Sequence, residues 1–241
     1  GQKATAKGFA KKTEGQGGTC FPGHSSQWLD LRDGQGVFCI SLLDDIRRPK
    51  FAASMARINQ PFTWWDAVDG RGLSKEEMAA LSPVPIEWEI DDDKDTLQRV
   101  GEAALITSSV KLWQYAQDQN LDQLVILEDD TELIKPLILE VPDDADLVFF
   151  NNRSKRNKQG FTWGYVCGTD GYLVTRSGIE KLLAIFSSAY LPLDLQMIAN
   201  TKSMRECGHH LFRYRRNDLP LLNSYTLPPI AFHNNSPSRI R

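Results

Sequence analysis

Leu124-Val125-Ile126-Leu127-Glu128-Asp129-Asp130 decides how this chain is read. Four apolar residues in a row suit an interior strand of a parallel sheet, whose two faces are both covered, and three carboxylates then emerge at its carboxyl edge. Open α/β sheets bind their ligands along that edge. Side chains alternate across a strand, so Glu128 and Asp130 are expected to point one way and Asp129 the other. Three acids ending a buried strand are costly unless something neutralises them. The first and third can share one cation, and hard oxygen ligands suit Mg2+ or Mn2+, ions that keep positions open for water or phosphates. An acidic turn is the plain alternative, because Asp residues cap helices and close turns everywhere.

Outward from this stretch, periodicity gives alternating strands and helices. Val37-Phe38-Cys39-Ile40-Ser41-Leu42 reads as the first strand, with Asp44 or Asp45 capping a helix that runs to about Ile58. Phe62 to Trp65 reads as a second strand, and Asp69-Gly70-Arg71-Gly72 as a turn. Ser74 with Glu77 forms a capping box for a short helix ending near Leu81, and Asp91-Asp92-Asp93 lies in a solvated stretch. A long helix starts between Thr96 and Glu102 and reaches about Gln119, turning Leu105, Ile106, Val110, Trp113 and Ala116 inward. Strands are expected at Asp146–Phe150, Phe161–Cys167 and Tyr172–Val174, and helices at Ser177–Phe186 and Leu195–Asn200.

With 241 residues, the chain suits one large domain, 28–241, behind a Gly- and Lys-rich arm, 1–27, that has little to bury beyond Phe9 and Phe21. Lys3, Lys7, Lys11 and Lys12 of the arm keep it soluble or touch an anionic membrane surface. A net charge of -3 supplies no global basic field, which argues against nucleic acid as a partner. Cys20, Cys39, Cys167 and Cys207 show no CxxC spacing, so reduced thiols are expected. Without a membrane-length apolar run or a signal-peptide core, the expected location is cytoplasmic, with peripheral contact at the inner membrane face open to the arm. Because the chain opens at Gly1 without methionine, a native start and any targeting segment are expected upstream of it.

Neither a GxGxxG turn after the first strand nor a P-loop is present, so a phosphate must be held otherwise. Arg47 and Arg48 follow the first strand on the same edge as the acids and can pair with a phosphate or with Asp69. Asn151 to Lys158 forms a polar, basic loop, either solvated or able to close over a ligand, and Trp163 and Tyr165 beyond it suit sugar stacking or core packing. His209-His210 alone make no metal motif.

In order along the chain, these landmarks resemble glycosyltransferase family 25, which includes lipopolysaccharide β-galactosyltransferases and collagen galactosyltransferases. Four segments carry the resemblance: Val37 to Leu42 with Arg47-Arg48; Trp65-Asp66-Ala67-Val68-Asp69-Gly70; Gly101-Glu102-Ala103-Ala104 through Ser108, Lys111 and Trp113 into Ile126 to Asp130; and Gly168-Thr169-Asp170-Gly171-Tyr172-Leu173-Val174 with Ser177-Gly178 and Pro192-Leu193-Asp194. Two positions depart from the family pattern: Ser109 and Asp170 stand where it usually or often has His.

The resemblance implies a GT-A type, Rossmann-like nucleotide-binding domain with a mostly parallel central sheet. It implies transfer of a hexose, commonly galactose, from a UDP-sugar to a saccharide or glycolipid hydroxyl with inversion, as in lipopolysaccharide biosynthesis. Mn2+ or Mg2+ would be held by Glu128 and Asp130, with His233 as a C-terminal ligand by looser analogy. Ser41, Leu42, Arg47, Arg48, Asp69, Asp129 and Thr169 would meet the donor. Asp194 is the first candidate base for the acceptor hydroxyl, with a helix cap as its structural alternative, and Asp170 is the second. Two other functions fit the same acids: a catalytically silent GT-A domain that binds a glycan or partner, and a metal-dependent phosphohydrolase.

Overall fold

The computed structural model describes residues 19–87, 96–163 and 168–234. Its strands are β1 (Ser26–Asp30), β2 (Val37–Ser41), β3 (Thr63–Asp66), β4 (Gln123–Glu128), β5 (Thr131–Leu133), β6 (Ile138–Pro142), β7 (Leu147–Asn151), β8 (Gly171–Thr175) and β9 (Ser224–His233). Its helices are α1 (Arg48–Arg57), α2 (Lys75–Leu81), α3 (Thr96–Asp118), α4 (Arg176–Ile185), α5 (Leu193–Ala199) and α6 (Lys202–Glu206), with a 3-10 turn at His210–Tyr214. Seven strands form one sheet in the order β3-β2-β4-β8-β7-β9-β5, while β1 and β6 pair separately.

The expected α/β architecture is present, and its parallel part, β3-β2-β4, is the part that carries the acids. Beyond β4 the sheet turns mixed: β8 runs antiparallel to both β4 and β7, β7 and β9 are parallel, and β9 and β5 antiparallel. Three of the six pairings are therefore parallel, fewer than a mostly parallel sheet has. The cause is the segment between β7 and β8, which contains no crossover helix among its described residues, so β8 returns against its neighbours.

β4 has both faces covered, as its apolar run implies. Leu124 and Ile126 pack with Leu105, Ile106, Val110 and Trp113 of α3 and with Ile179 and Leu182 of α4. Val125 and Leu127 pack on the opposite face with Phe51 and Met55 of α1. The α3 face anticipated from periodicity is buried at every named position from Leu105 to Ala116. Ser74 and Glu77 make the capping box of α2.

Several local expectations change. α1 begins at Arg48 rather than beside Asp44 or Asp45, because the Asp45 carboxylate is taken up by the backbone N–H and guanidinium of Arg47. Residues 19–27 belong to the packed domain and not to an arm. Phe21 is fully buried against Tyr225, and Glu140 accepts hydrogen bonds from the Thr19 hydroxyl, the Cys20 N–H and the Ser26 hydroxyl. The rest of the expected arm, with its lysines, lies outside the described residues, as do Asp91-Asp92-Asp93, Tyr165 and Cys167. Where a strand over Phe161–Cys167 was expected, Phe161 and Thr162 make only isolated bridges and Trp163 is exposed. Cys20, Cys39 and Cys207 are free thiols. Among the described residues, no helix is long and apolar enough to cross a membrane.

One close approach fixes how α4 seats on the sheet. A Cβ on Gly178, in the first turn of α4, would stand 2.2 Å from the backbone oxygen of Asp146. Because the obstacle is main chain, Gly178→Ala is expected to cost about 1–3 kcal/mol. A chemical-denaturation midpoint within error of wild type would contradict it.

Candidate functional site

Strand register assembles the site. Ile40 pairs with Glu128 in parallel, which sets Ser41 beside Asp129. Leu127 pairs with Gly171 in the antiparallel direction, which sets Asp170 beside Glu128. Thr131 pairs with His233 where β5 meets β9. Residues spread over some two hundred positions therefore meet at the carboxyl end of β4.

All three acids are buried there, with residue exposures of 7% for Glu128, 5% for Asp129 and 3% for Asp130. A solvated acidic turn is thereby excluded. β4 ends at Glu128, and Asp129 and Asp130 fall in the turn that follows, where Asp129 accepts from the Ser41 hydroxyl at 2.6 Å. Glu128 accepts from the Thr169 hydroxyl at 2.7 Å, on the β8 side.

A resident cation already sits among these acids. The buried Arg47 guanidinium holds Asp45 through two hydrogen bonds, reaches Asp129 Oδ1 at 2.9 Å and stands 3.5 Å from Asp130 Oδ2. Even so, burial pushes the Asp129 carboxyl up to about 6, against the pull of Ser41 and Arg47. Burial, reinforced by the charge of Glu128 and opposed by Arg47, pushes Asp130 up to about 7. One guanidinium does not offset three carboxylates in a dry setting.

That imbalance has a thermodynamic signature. Between the ordinary carboxyl value of 3.8 and about 7, the folded chain keeps a proton on Asp130 that the unfolded chain has released. Stability from this group therefore falls as pH rises through that window and levels off above it. Asp130→Asn removes the effect, so the variant should gain on wild type between about pH 4.5 and about pH 8 without added metal. Urea midpoints measure the gain; an unchanged difference at the two pH values would contradict the burial argument.

A second group of atoms faces the acids from β8 and β9. Asp170, fully buried, is held through Oδ1 by Arg153 Nε and Nη2 at 3.2 and 2.7 Å. Arg153 lies across Gly168 so closely that a Cβ there would collide with the guanidinium. His233 Nδ1 stands 3.7 Å from Asp130 Oδ1 and 3.8 Å from Asp170 Oδ2. Both oxygens are buried and accept no hydrogen bond among the described residues. Those atoms are hard or borderline donors suited to a divalent ion. As the side chains stand, no group of three or more His, Cys, Asp or Glu among the described residues is placed to hold a metal ion.

Other expected site residues separate into distinct settings. Arg48 is committed to the fold: it donates to the Ser41 and Leu42 carbonyls, pairs with Asp66 and lies over the Trp64 ring. Its expected partner Asp69 is instead gripped by Arg71, half exposed in its turn. Asp194 occupies the second position of α5, after Pro192 as the N-cap residue, and its Oδ1 accepts from the Leu195 N–H at 2.9 Å, so the carboxylate does sit on the first turn of the helix. Thr175, the last residue of β8, pairs with Gln123 at the start of β4, and α4 follows before α5 begins. On the Asp129 side, Lys50, Ser54, Arg57, Thr131 and Asn234 border a cleft of about 410 Å3.

Two participants had no recognisable signal in the sequence. Asp45 reads as a helix cap and Arg153 as one charge in a basic loop; only the folded register brings them to the acids.

The model of "Glycosyltransferase family 25 (LPS biosynthesis protein)" matches residues 35–140, the segment running from β2 through β4. Among solved structures, the chain is similar to a glycosyltransferase involved in the glycosylation of the major capsid of PBCV-1. Identity is 11%, coverage 84% of this chain and 93% of that one, and the TM-score 0.41. No curated protein sequence matches the chain.

Proposed function

We propose that this chain, whose residues 35–140 match the model of glycosyltransferase family 25, is a transferase of that family that moves a hexose, galactose first, from a UDP-sugar to a saccharide hydroxyl with inversion. A divalent cation, Mn2+ or Mg2+, assists. One observation carries this reading: three carboxylates stay buried at the ligand-binding edge of the sheet although a single arginine leaves them under-neutralised. A site that keeps unfavourable charge in the fold is a functional candidate on physical grounds.

Glu128, Asp130 and His233 would hold the cation, and the buried Asp130 Oδ1, which has no hydrogen-bond partner among the described residues, fits that demand. When bound, the ion stabilises the negative charge that grows on the departing diphosphate. The remaining work falls to the chain. Arg47 fixes Asp129 and Asp130 in place, Ser41 and Thr169 orient Asp129 and Glu128, and the cleft beside Asp129 offers room for part of the nucleotide.

Inversion follows from attack by the acceptor oxygen on the anomeric carbon, opposite the leaving UDP. The carbon–oxygen bond to UDP breaks as the new glycosidic bond forms, and the hydroxyl proton passes to a carboxylate. Asp194, half-buried at the start of α5, is assigned that role. Asp194→Asn should leave UDP affinity alone and lower the transfer rate by about 10^2- to 10^4-fold. Loss of donor affinity in that variant would reassign the residue.

Incubation with a panel of UDP-sugars, Mn2+ and saccharide acceptors tests the whole proposal. Saccharide transfer is expected. Binding without turnover would mark a silent domain, and donor breakdown at the same rate with or without acceptor would mark a phosphohydrolase.

A further inference from the structure

Two buried carboxylates in this cluster share one arrangement: one oxygen is held and the other is left over. Asp130 has Oδ2 turned to Arg47 and Oδ1 without a hydrogen bond; Asp170 has Oδ1 bound by Arg153 and Oδ2 without one. Both remaining oxygens are turned to the same atom, His233 Nδ1, at 3.7 and 3.8 Å. Hydrogen bonding would draw such atoms nearer, to about 2.7–3.2 Å. Two ligand atoms that each lie about 2.1 Å from a common ion stand up to twice that far apart, so these spacings leave room for one.

We propose that Asp170 is a ligand of the divalent cation, joining Asp130 and His233, and not the base that removes the acceptor proton. This rests on the cation-assisted transferase reading and deepens it. A base must come within hydrogen-bond reach of the acceptor hydroxyl. Asp170 has no exposed surface, and Arg153 occupies its other oxygen. Its main-chain oxygen also accepts from the Thr131 hydroxyl at 2.6 Å, which ties β5 to the start of β8. Arg153 pairs with Oδ1, so Oδ2 is the oxygen that faces His233. The opposing explanation is a protonated His233 bridging two acids, with no ion needed.

Loss of the free Mn2+ electron paramagnetic resonance signal on titration into the full chain separates these possibilities. Wild type should bind Mn2+, and Asp170→Asn should weaken binding by about tenfold or more. Arg153→Gln tests whether that loss comes merely from breaking the ion pair, and it should retain affinity within about threefold. Asp170→Cys exchanges a hard ligand for a soft one, so its Cd2+ to Mn2+ affinity ratio should rise by about tenfold or more. A merely structural aspartate would not move that ratio. Thermal melts of each variant verify folding; should Asp170→Asn fail to fold, the cysteine variant's ratio decides. Wild-type Mn2+ affinity in Asp170→Asn, equal losses in Asp170→Asn and Arg153→Gln, or an unchanged ratio in Asp170→Cys would each overturn the assignment while leaving a cation-assisted enzyme. No Mn2+ binding by wild type, even with UDP present, would remove the underlying reading as well.

Discussion

On the proposed function, Asp130→Ala is expected to abolish cation-dependent UDP binding and to lower transfer by about a thousandfold, while the chain still folds. The size follows from the residue's surroundings. Asp130 is 3% exposed, its carboxyl is lifted to about 7 chiefly by burial, and Oδ1 faces His233 instead of a hydrogen-bond donor. Such a carboxylate contributes little to the metal-free fold, so removing it should spare stability. The ion proposed to shield the diphosphate would lose a central ligand, and a charge stabilised in a dry site counts for far more than one in water. Calorimetry with UDP and Mn2+, paired with a transfer assay, measures both effects. Unchanged UDP affinity would move the cation site elsewhere.

Arg47→Met has the largest expected effect on stability, about 3–5 kcal/mol. Its guanidinium is 92% buried and is the cation that touches Asp45, Asp129 and Asp130 together. Methionine fills much of the space but leaves three buried carboxylates without that partner. Removing one member of a buried ionic cluster costs far more than the cluster contributed, because the remaining charges stay desolvated. Protonation offers partial relief: without Arg47 the neighbouring carboxyls bind protons more tightly, so the loss should be greatest near pH 8 and shrink towards about pH 5. Denaturant midpoints at the two pH values give the answer. A deficit below about 1 kcal/mol at both would mean that water, not Arg47, solvates these acids.

How far the residues announced the architecture depended on whether each signal was local. β2, α3 and β4 were legible because each carries its own period: an unbroken apolar run, an inner face at helical spacing, and another run closed by acids. The capping box of α2 was equally plain. β9 was not, because Pro228-Pro229 argues against a strand; in the fold both prolines are exposed, in a strand whose pairing with β7 shifts register after Phe149. β1 and β6 escaped notice as a five-residue pair whose partner lies over a hundred positions away.

The site shows the same division. Glu128 to Asp130 stood out as acids behind an apolar run, and Arg47 as a base near the same edge. What the pattern did not contain was their mutual contact, in which Arg47 stands as a counter-ion beside the acids. The approach of Asp170 and His233 depends on antiparallel pairing of β8 with β4 and of β9 with β5. No spacing rule along one strand encodes a register between strands so distant in sequence.

Titration of wild type with UDP in the presence and absence of Mn2+ tests most directly whether the buried acid rim serves a nucleotide diphosphate through a cation. Affinity at least about tenfold higher with the ion is predicted, a difference of about 1.4 kcal/mol. Equal affinity under both conditions would contradict the account.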